Sequence, residues 1–159
     1  MKRNILGDMM RLCSRREYSI ADIRAKLKAK ELEEAAVENI LATLTEEGYL
    51  SDIRYATAFA RDKSSLQGWG SAKIKLALHR KGIEADIIKD AMAEIDADDA
   101  LKKLRTVLEV KHKSLIKEDL RKNNGTSPDS SRLYNIKNKL IRFGVSRGYS
   151  IDEILSAMP

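Results

Sequence analysis

The side chains that could carry reaction chemistry are few in this sequence, and their spacing assembles no reaction centre. The only histidines, His79 and His112, stand among Arg and Lys with no second ligand at metal-binding spacing. A general base would also need a partner carboxylate and a pocket, and the neighbouring residues supply neither. Both read as solvated surface histidines. Cys13, the single cysteine, shares a helical face with Ile5, Met9 and Leu12 and reads as a small buried hydrophobe. One cysteine excludes an internal disulfide and any Cys-x-x-Cys metal framework. Asp22, Asp52 and Asp62 are spaced as caps and surface charges, not as paired carboxylates. No Gly-x-x-x-x-Gly-Lys-Ser/Thr loop is present to cradle a nucleotide. These residues predict a chain that binds other macromolecules, with no catalysis, no cofactor and no metal.

Cationic chemistry recurs instead. Arg61, Lys63, Lys73, Lys75, Arg80 and Lys81 form one group, and Lys102, Lys103, Arg105, Lys111 and Lys113 a second. Arg132, Lys137, Lys139, Arg142 and Arg147 follow, with no acidic residue from 131 to 149. The formal net charge is +6. A basic excess suits a polyanion or an acidic protein surface; a merely solvated face is the plain alternative. Trp69 sits in Gly68-Trp69-Gly70, just before a basic helix. A large ring there either closes a core or lies exposed near a partner. Tyr55 and Phe59, at i and i+4, read as core packing.

The elements that must position these groups are helices. The chain is 43% hydrophobic and 34% charged, with only 5% aromatic residues, which suits thin apolar stripes and broad charged faces. Pro128 and Pro159 are the only prolines, so nothing breaks the chain before 128. Val37, Ile40, Leu41 and Leu44 form one stripe, Ile87, Ile88, Ala91, Met92 and Ile95 another, and Ile151, Ile154, Leu155 and Met158 a third. No period-2 run predicts a strand. Ser19, Ser51, Gly70 and Ser150 mark helix starts, and Gly48, Gly82 and Gly148 mark stops. The expected helices are 4–16, 20–30, 34–47, 52–66, 71–81, 85–95, 98–114, 131–147 and 151–158. No run approaches the roughly 18 apolar residues of a membrane span. The N-terminal Met1-Lys2-Arg3-Asn4 is not followed by the apolar stretch of a secretory signal. Both observations predict a cytoplasmic chain.

An internal repeat organises the helices. Lys26–Leu32 aligns with Ala77–Ile83 at a shift of 51 residues, and that segment with Phe143–Tyr149 at a shift of 66. Lys30, Lys81 and Arg147 then agree, as do Leu32, Ile83 and Tyr149, and Val37, Ile88 and Ile154. Leu41, Met92 and Met158 continue the last stripe. The expectation is an all-α fold of three tandem three-helix repeats, 4–50, 51–97 and 98–159, forming an elongated, curved array. The longer second shift places an inserted loop near 117–131, around Asn123-Asn124-Gly125 and Ser127-Pro128-Asp129. The third helices are acidic: Glu33, Glu34, Glu38, Glu46 and Glu47 in the first repeat, and Asp86, Asp90 and Glu94 in the second. The basic groups therefore fall on the other helices.

Arg15-Arg16-Glu17-Tyr18-Ser19-Ile20-Ala21-Asp22-Ile23 with Leu27 resembles the first-repeat pattern of RecX proteins, the regulators of the RecA recombinase. Gly48-Tyr49-Leu50-Ser51-Asp52-Ile53-Arg54-Tyr55-Ala56 with Phe59 resembles that family's most recognisable segment. Gly68-Trp69-Gly70, Ile74, Leu78 and Lys81-Gly82-Ile83 are similar to its middle repeat. Lys139-Leu140-Ile141-Arg142-Phe143 with Arg147-Gly148-Tyr149 is similar to its last. Glu31 departs where the family commonly has glycine, and Ser51 where it often has an acid. The resemblance implies a modulator that binds along or within the groove of the RecA–single-stranded DNA filament and, by altering or capping it, slows ATP hydrolysis, strand exchange and co-protease activity. A monomer that also touches single-stranded DNA directly is a separate expectation. Charge, repeat position and resemblance together single out Arg54, Arg61, Lys63, Trp69, Lys73, Lys75, Arg80, Lys81, Arg142 and Arg147 as contacts to filament protein or DNA phosphate. Two other readings stay open: a stand-alone nucleic-acid binder built on helix-turn-helix-like units, and a scaffold without a nucleic-acid role.

Overall fold

The computed structural model describes residues 4–159. Nine α-helices account for the regular structure of the described residues: α1 (Ile5–Arg15), α2 (Ile20–Lys28), α3 (Glu34–Glu46), α4 (Asp52–Ser65), α5 (Ser71–Arg80), α6 (Ala85–Ala93), α7 (Ala97–Lys122), α8 (Ser130–Ser146) and α9 (Ile151–Ala157). The all-helical expectation holds.

Short-range hydrogen bonds set the helix starts. Ser19 and Asp22 form a reciprocal capping box on α2, and Ser150 and Glu153 form another on α9. Ser51 Oγ accepts from the Arg54 amide at the head of α4. Asp96 and Asp129 cap α7 and α8. The helix stops obey the repeat alignment. Glu31, Gly82 and Gly148, related by the shifts of 51 and 66, all adopt positive φ, at 58°, 74° and 97°. The residue after each turn packs inward in its own way. Leu32 is half-buried, while Ile83 and Tyr149 are buried.

One boundary differs from the sequence reading. The loop expected near 117–131 is confined to 123–129, because α7 continues to Lys122. Leu115 continues the buried stripe of Leu104 and Leu108, and Ile116 packs beside it. Asn123 caps the end, and Asn124 and Gly125 take left-handed conformations. Arg132 of α8 then closes the loop. It pairs with Asp119 and donates to the carbonyls of Thr126 (2.9 Å) and Ser127 (3.2 Å).

The chain divides into two compact units. The first comprises residues up to Ala60 and Ala77–Glu94. Its core is Met9, Cys13, Tyr18, Ile23, Leu27, Val37, Leu41, Leu44 and Leu50, from α1 to α3 and the following turn. Ile23 and Leu27 are fully buried, each contributing about 1.5–3 kcal/mol of transfer free energy. Burial raises the Cys13 thiol pKa, as for a buried hydrophobe rather than a reactive thiolate. Tyr55 is buried with its ring centroid 5.8 Å from that of Phe59.

The second unit comprises Arg61–Leu76 and Ile95–Pro159, where α7, α8 and α9 pack on one another. Leu104, Leu108, Leu115, Ile136, Leu140, Tyr149 and Ile154 form its core. Gly144 lets α9 approach α8: a Cβ there would lie 2.6 Å from Ile154 Cδ1.

Candidate nucleic-acid interface

The basic excess belongs to one unit. The second unit holds 17 Lys and Arg against 10 Asp and Glu, a formal +7, while the first holds 13 against 14, a formal −1. Seven of the ten residues singled out from sequence lie in the second unit: Arg61, Lys63, Trp69, Lys73, Lys75, Arg142 and Arg147.

The segment from the end of α4 to the head of α5 builds the centre of this surface. The Trp69 amide donates to the Lys63 carbonyl at 2.8 Å, folding the chain back on α4. This puts the half-buried Trp69 ring under two ammonium groups, Lys63 Nζ at 4.7 Å and Lys73 Nζ at 4.2 Å from its centroid. Each such contact contributes about 0.5–1 kcal/mol. The ring thus offsets part of the repulsion between two nearby cations, and an arriving anion would offset more.

The turn between α8 and α9 meets this segment. The Gly70 amide donates to the Arg147 carbonyl (2.7 Å) and the Ala72 amide to the Gly148 carbonyl (3.1 Å). Arg147 Nη2 donates to the Gln67 carbonyl, and its Nε is buried without an acceptor among the described residues. The Tyr149 hydroxyl, its pKa raised by burial, donates to the Gly68 carbonyl at 3.0 Å. A second aromatic–cation group lies in the same unit: Lys111 Nζ is 5.1 Å from the Phe143 centroid and the Arg147 guanidinium carbon 5.9 Å from it. The geometry therefore joins Lys63, Trp69, Lys73 and Arg147 through one packed turn. Arg61, Lys75 and Arg142 are exposed on the same unit outside these contacts.

The other three residues lie in the first unit, and two of them hold the fold. Lys81 Nζ pairs with Asp22 Oδ1 at 2.6 Å. Arg54 donates from Nε to Glu17 (3.0 Å) and from Nη2 to the Gly48 carbonyl (2.7 Å), closing the α3–α4 turn. Arg80 is exposed at the end of α5. Lys111, named in the second basic group of the sequence, joins the candidate surface, with Phe143 beside it and Tyr149 buried beneath it, two residues that charge counting could not select. So does Lys103, whose Cε borders Gly68. Lys103, Val107 and Lys111 fall at i, i+4 and i+8 of α7, a half-buried stripe flanking the buried Leu104 and Leu108. That spacing was the available signal.

Among the described residues no helix is long and apolar enough to cross a membrane, and no group of three His, Cys, Asp or Glu could hold a metal ion. Fold and surface together define an all-helical protein with a basic, aromatic-bearing face. Residues 7–44 match the family model for the first three-helix domain of RecX, and residues 51–92 the model for its second. A Vibrio parahaemolyticus protein named regulatory protein RecX is 30% identical over 94% of this chain and 86% of its own length. Its Clostridium perfringens namesake is 33% identical over 82% of this chain. The chain spans little more than half the length of that relative, 56%. The crystal structure of RecX from Lactobacillus salivarius superposes with a TM-score of 0.74 over 96% of this chain and 90% of that one, at 21% identity. Another crystal structure, of regulatory protein RecX, gives 0.76 over 96% and 68%, at 22% identity. The chain belongs to the RecX family of regulatory proteins.

Proposed function

We propose that this chain regulates the RecA recombinase by binding its filament on single-stranded DNA, and that it slows ATP hydrolysis, strand exchange and co-protease activity. The observation that carries the reading is Trp69 under the ammonium groups of Lys63 and Lys73, in a turn whose Gln67 and Gly70 backbone groups bond to Arg147, in the unit with the whole basic excess. A cationic surface that includes aromatic faces suits a flexible polyanion whose bases are accessible. Family membership supports RecA as the filament protein. The three-repeat organisation, in which 98–159 is the last copy, belongs to the same proposal. It is supported by the shared left-handed turns at Glu31, Gly82 and Gly148.

The test is the ATPase rate of RecA on single-stranded DNA as the chain is titrated in. Inhibition that weakens when Lys63 and Lys73 are reversed supports the reading. An unchanged rate at several-fold excess over filament ends rejects it. The same cluster favours one second reading, a stand-alone nucleic-acid binder. That reading predicts tight binding to DNA without RecA, with a log–log salt slope set by phosphate contacts.

A further inference from the structure

We infer that Tyr149 is a positioning residue of this surface, holding the Gly68-Trp69-Gly70 turn so that Trp69 carries its two lysines toward a bound polyanion. The inference rests on the proposed reading of that face and extends it to a residue buried beneath it.

The repeat supplies an internal comparison. Position 149 corresponds to Leu32 and Ile83, where a hydrocarbon side chain suffices after the left-handed turn. Tyr149 is as buried as a core residue, 7% exposed, yet it adds a hydroxyl. Burying a hydroxyl is unfavourable unless it is bonded. This one donates to the carbonyl of Gly68, the residue immediately before Trp69. Packing alone does not call for that bond.

The turn is pinned on both sides of the ring. Before Trp69, the Gln67 and Gly68 carbonyls accept from Arg147 and Tyr149. After it, the Gly70 amide donates to the Arg147 carbonyl. A Cβ on Gly70 would fall on the carbonyl group of Gly148, and one on Gly148 would lie 2.6 Å from the Lys73 amide nitrogen. The two turns therefore meet at backbone contact, and Lys73 starts from that contact. Gly68, at φ 64°, lacks any bulk of its own to hold its peptide in place. The Tyr149 hydroxyl is the side-chain donor that fixes that carbonyl.

Tyr149→Phe keeps the ring and removes the hydroxyl, and Tyr149→Leu installs the side chain that the first repeat carries as Leu32. Trp69 is the only tryptophan, so its fluorescence reports this turn alone. In the full chain, acrylamide quenching of Trp69 is expected to rise in both variants. Affinity for an oligothymidylate, and for RecA filaments formed on it, is expected to fall about three- to tenfold, the scale of one hydrogen bond. In a Trp69→Ala background the Tyr149→Phe loss is expected to vanish, because the hydroxyl acts through the ring. Unchanged quenching in Tyr149→Phe, or an equal binding loss with and without Trp69, overturns the inference. A wild-type chain that binds neither probe overturns the underlying reading, and the inference with it. That outcome is distinguishable because it appears before any substitution is made.

Discussion

Lys81 Nζ lies 2.6 Å from Asp22 Oδ1, across 59 residues of chain, so the end of α5 holds the start of α2. Arg147, at the equivalent repeat position, reaches back to Gln67 just before α5. The same side-chain position thus secures the approach to an earlier second helix in each unit. The basic residue of the repeat is first a clasp, and its charge is partly committed before any ligand arrives.

Asp22 has a second task. Its carboxylate accepts from the Ser19 amide in the α2 capping box at 3.3 Å. Asp22→Ala is therefore expected to cost more than Lys81→Ala: about 1–2 kcal/mol for a lost cap with its pair, against about 0.5–1 kcal/mol for one partly exposed ion pair. Urea unfolding of both single variants and the double variant measures the difference and the coupling.

Acid should act on this cluster in two opposing ways. Burial pushes the Asp22 pKa up, but hydrogen bonds from Lys81 and Ser19 outweigh it and hold it below 3.8. Its stabilisation is present above the ordinary aspartate range and is lost as pH falls through the lowered folded value. Burial raises Asp52, against a hydrogen bond from the Ile20 amide and with further lift from Asp22 and Glu84. Its folded form gains relative stability as pH falls through that raised value. Urea midpoints at pH 7 and pH 3 are expected to differ less in Asp22→Asn than in the wild type, and more in Asp52→Asn.

The three left-handed turns predict a graded series. Glu31, at φ 58°, pays the strain that Gly82 and Gly148 avoid, so Glu31→Gly is expected to raise stability by about 0.5–1 kcal/mol. Gly82→Ala should cost about 1–2 kcal/mol from backbone conformation alone, since nothing lies within 4 Å of its added Cβ. Gly148→Ala should cost clearly more, because its Cβ also meets Lys73 and Gly70. Thermal midpoints of the three variants give the order.

Binding and folding should separate by charge reversal. Lys63→Glu with Lys73→Glu is expected to weaken oligothymidylate binding at least tenfold and to flatten its salt dependence by about 1.4 in the log–log slope. Lys81→Glu, which places like charges beside Asp22, should lower the thermal midpoint and leave the salt slope unchanged. Titrations at 50 mM and 200 mM salt test both.

Arg132→Ala should release the 123–129 loop. Arg132 is the shared donor to Thr126, Ser127 and Asp119, and it is only 22% exposed at its side chain. Limited proteolysis is expected to cut there first, because Asp119 keeps only the Asn123 side chain as a partner among the described residues.

Much of the architecture was readable because its causes are local. Ser19 finds Asp22 and Ser150 finds Glu153 three residues away, so caps and helix starts follow from short segments. The 3.6-residue stripes and the glycines at 48, 82 and 148 depend only on backbone geometry and on which face must be buried. The length of α7 was obscured because Lys113–Lys122 is mostly polar; Leu115 reveals its helical register only when packed beside Ile136 and Leu140. The surface was half legible. Charge and spacing pointed to Lys63, Trp69, Lys73 and Arg147, but not to which cations were already committed. Asp22 takes Lys81, Glu17 takes Arg54, and Tyr149 reaches Gly68 across 81 residues. No spacing rule encodes such pairs. They exist because helices packed by their apolar stripes bring distant turns into hydrogen-bonding range, and tertiary structure alone decides which turns meet.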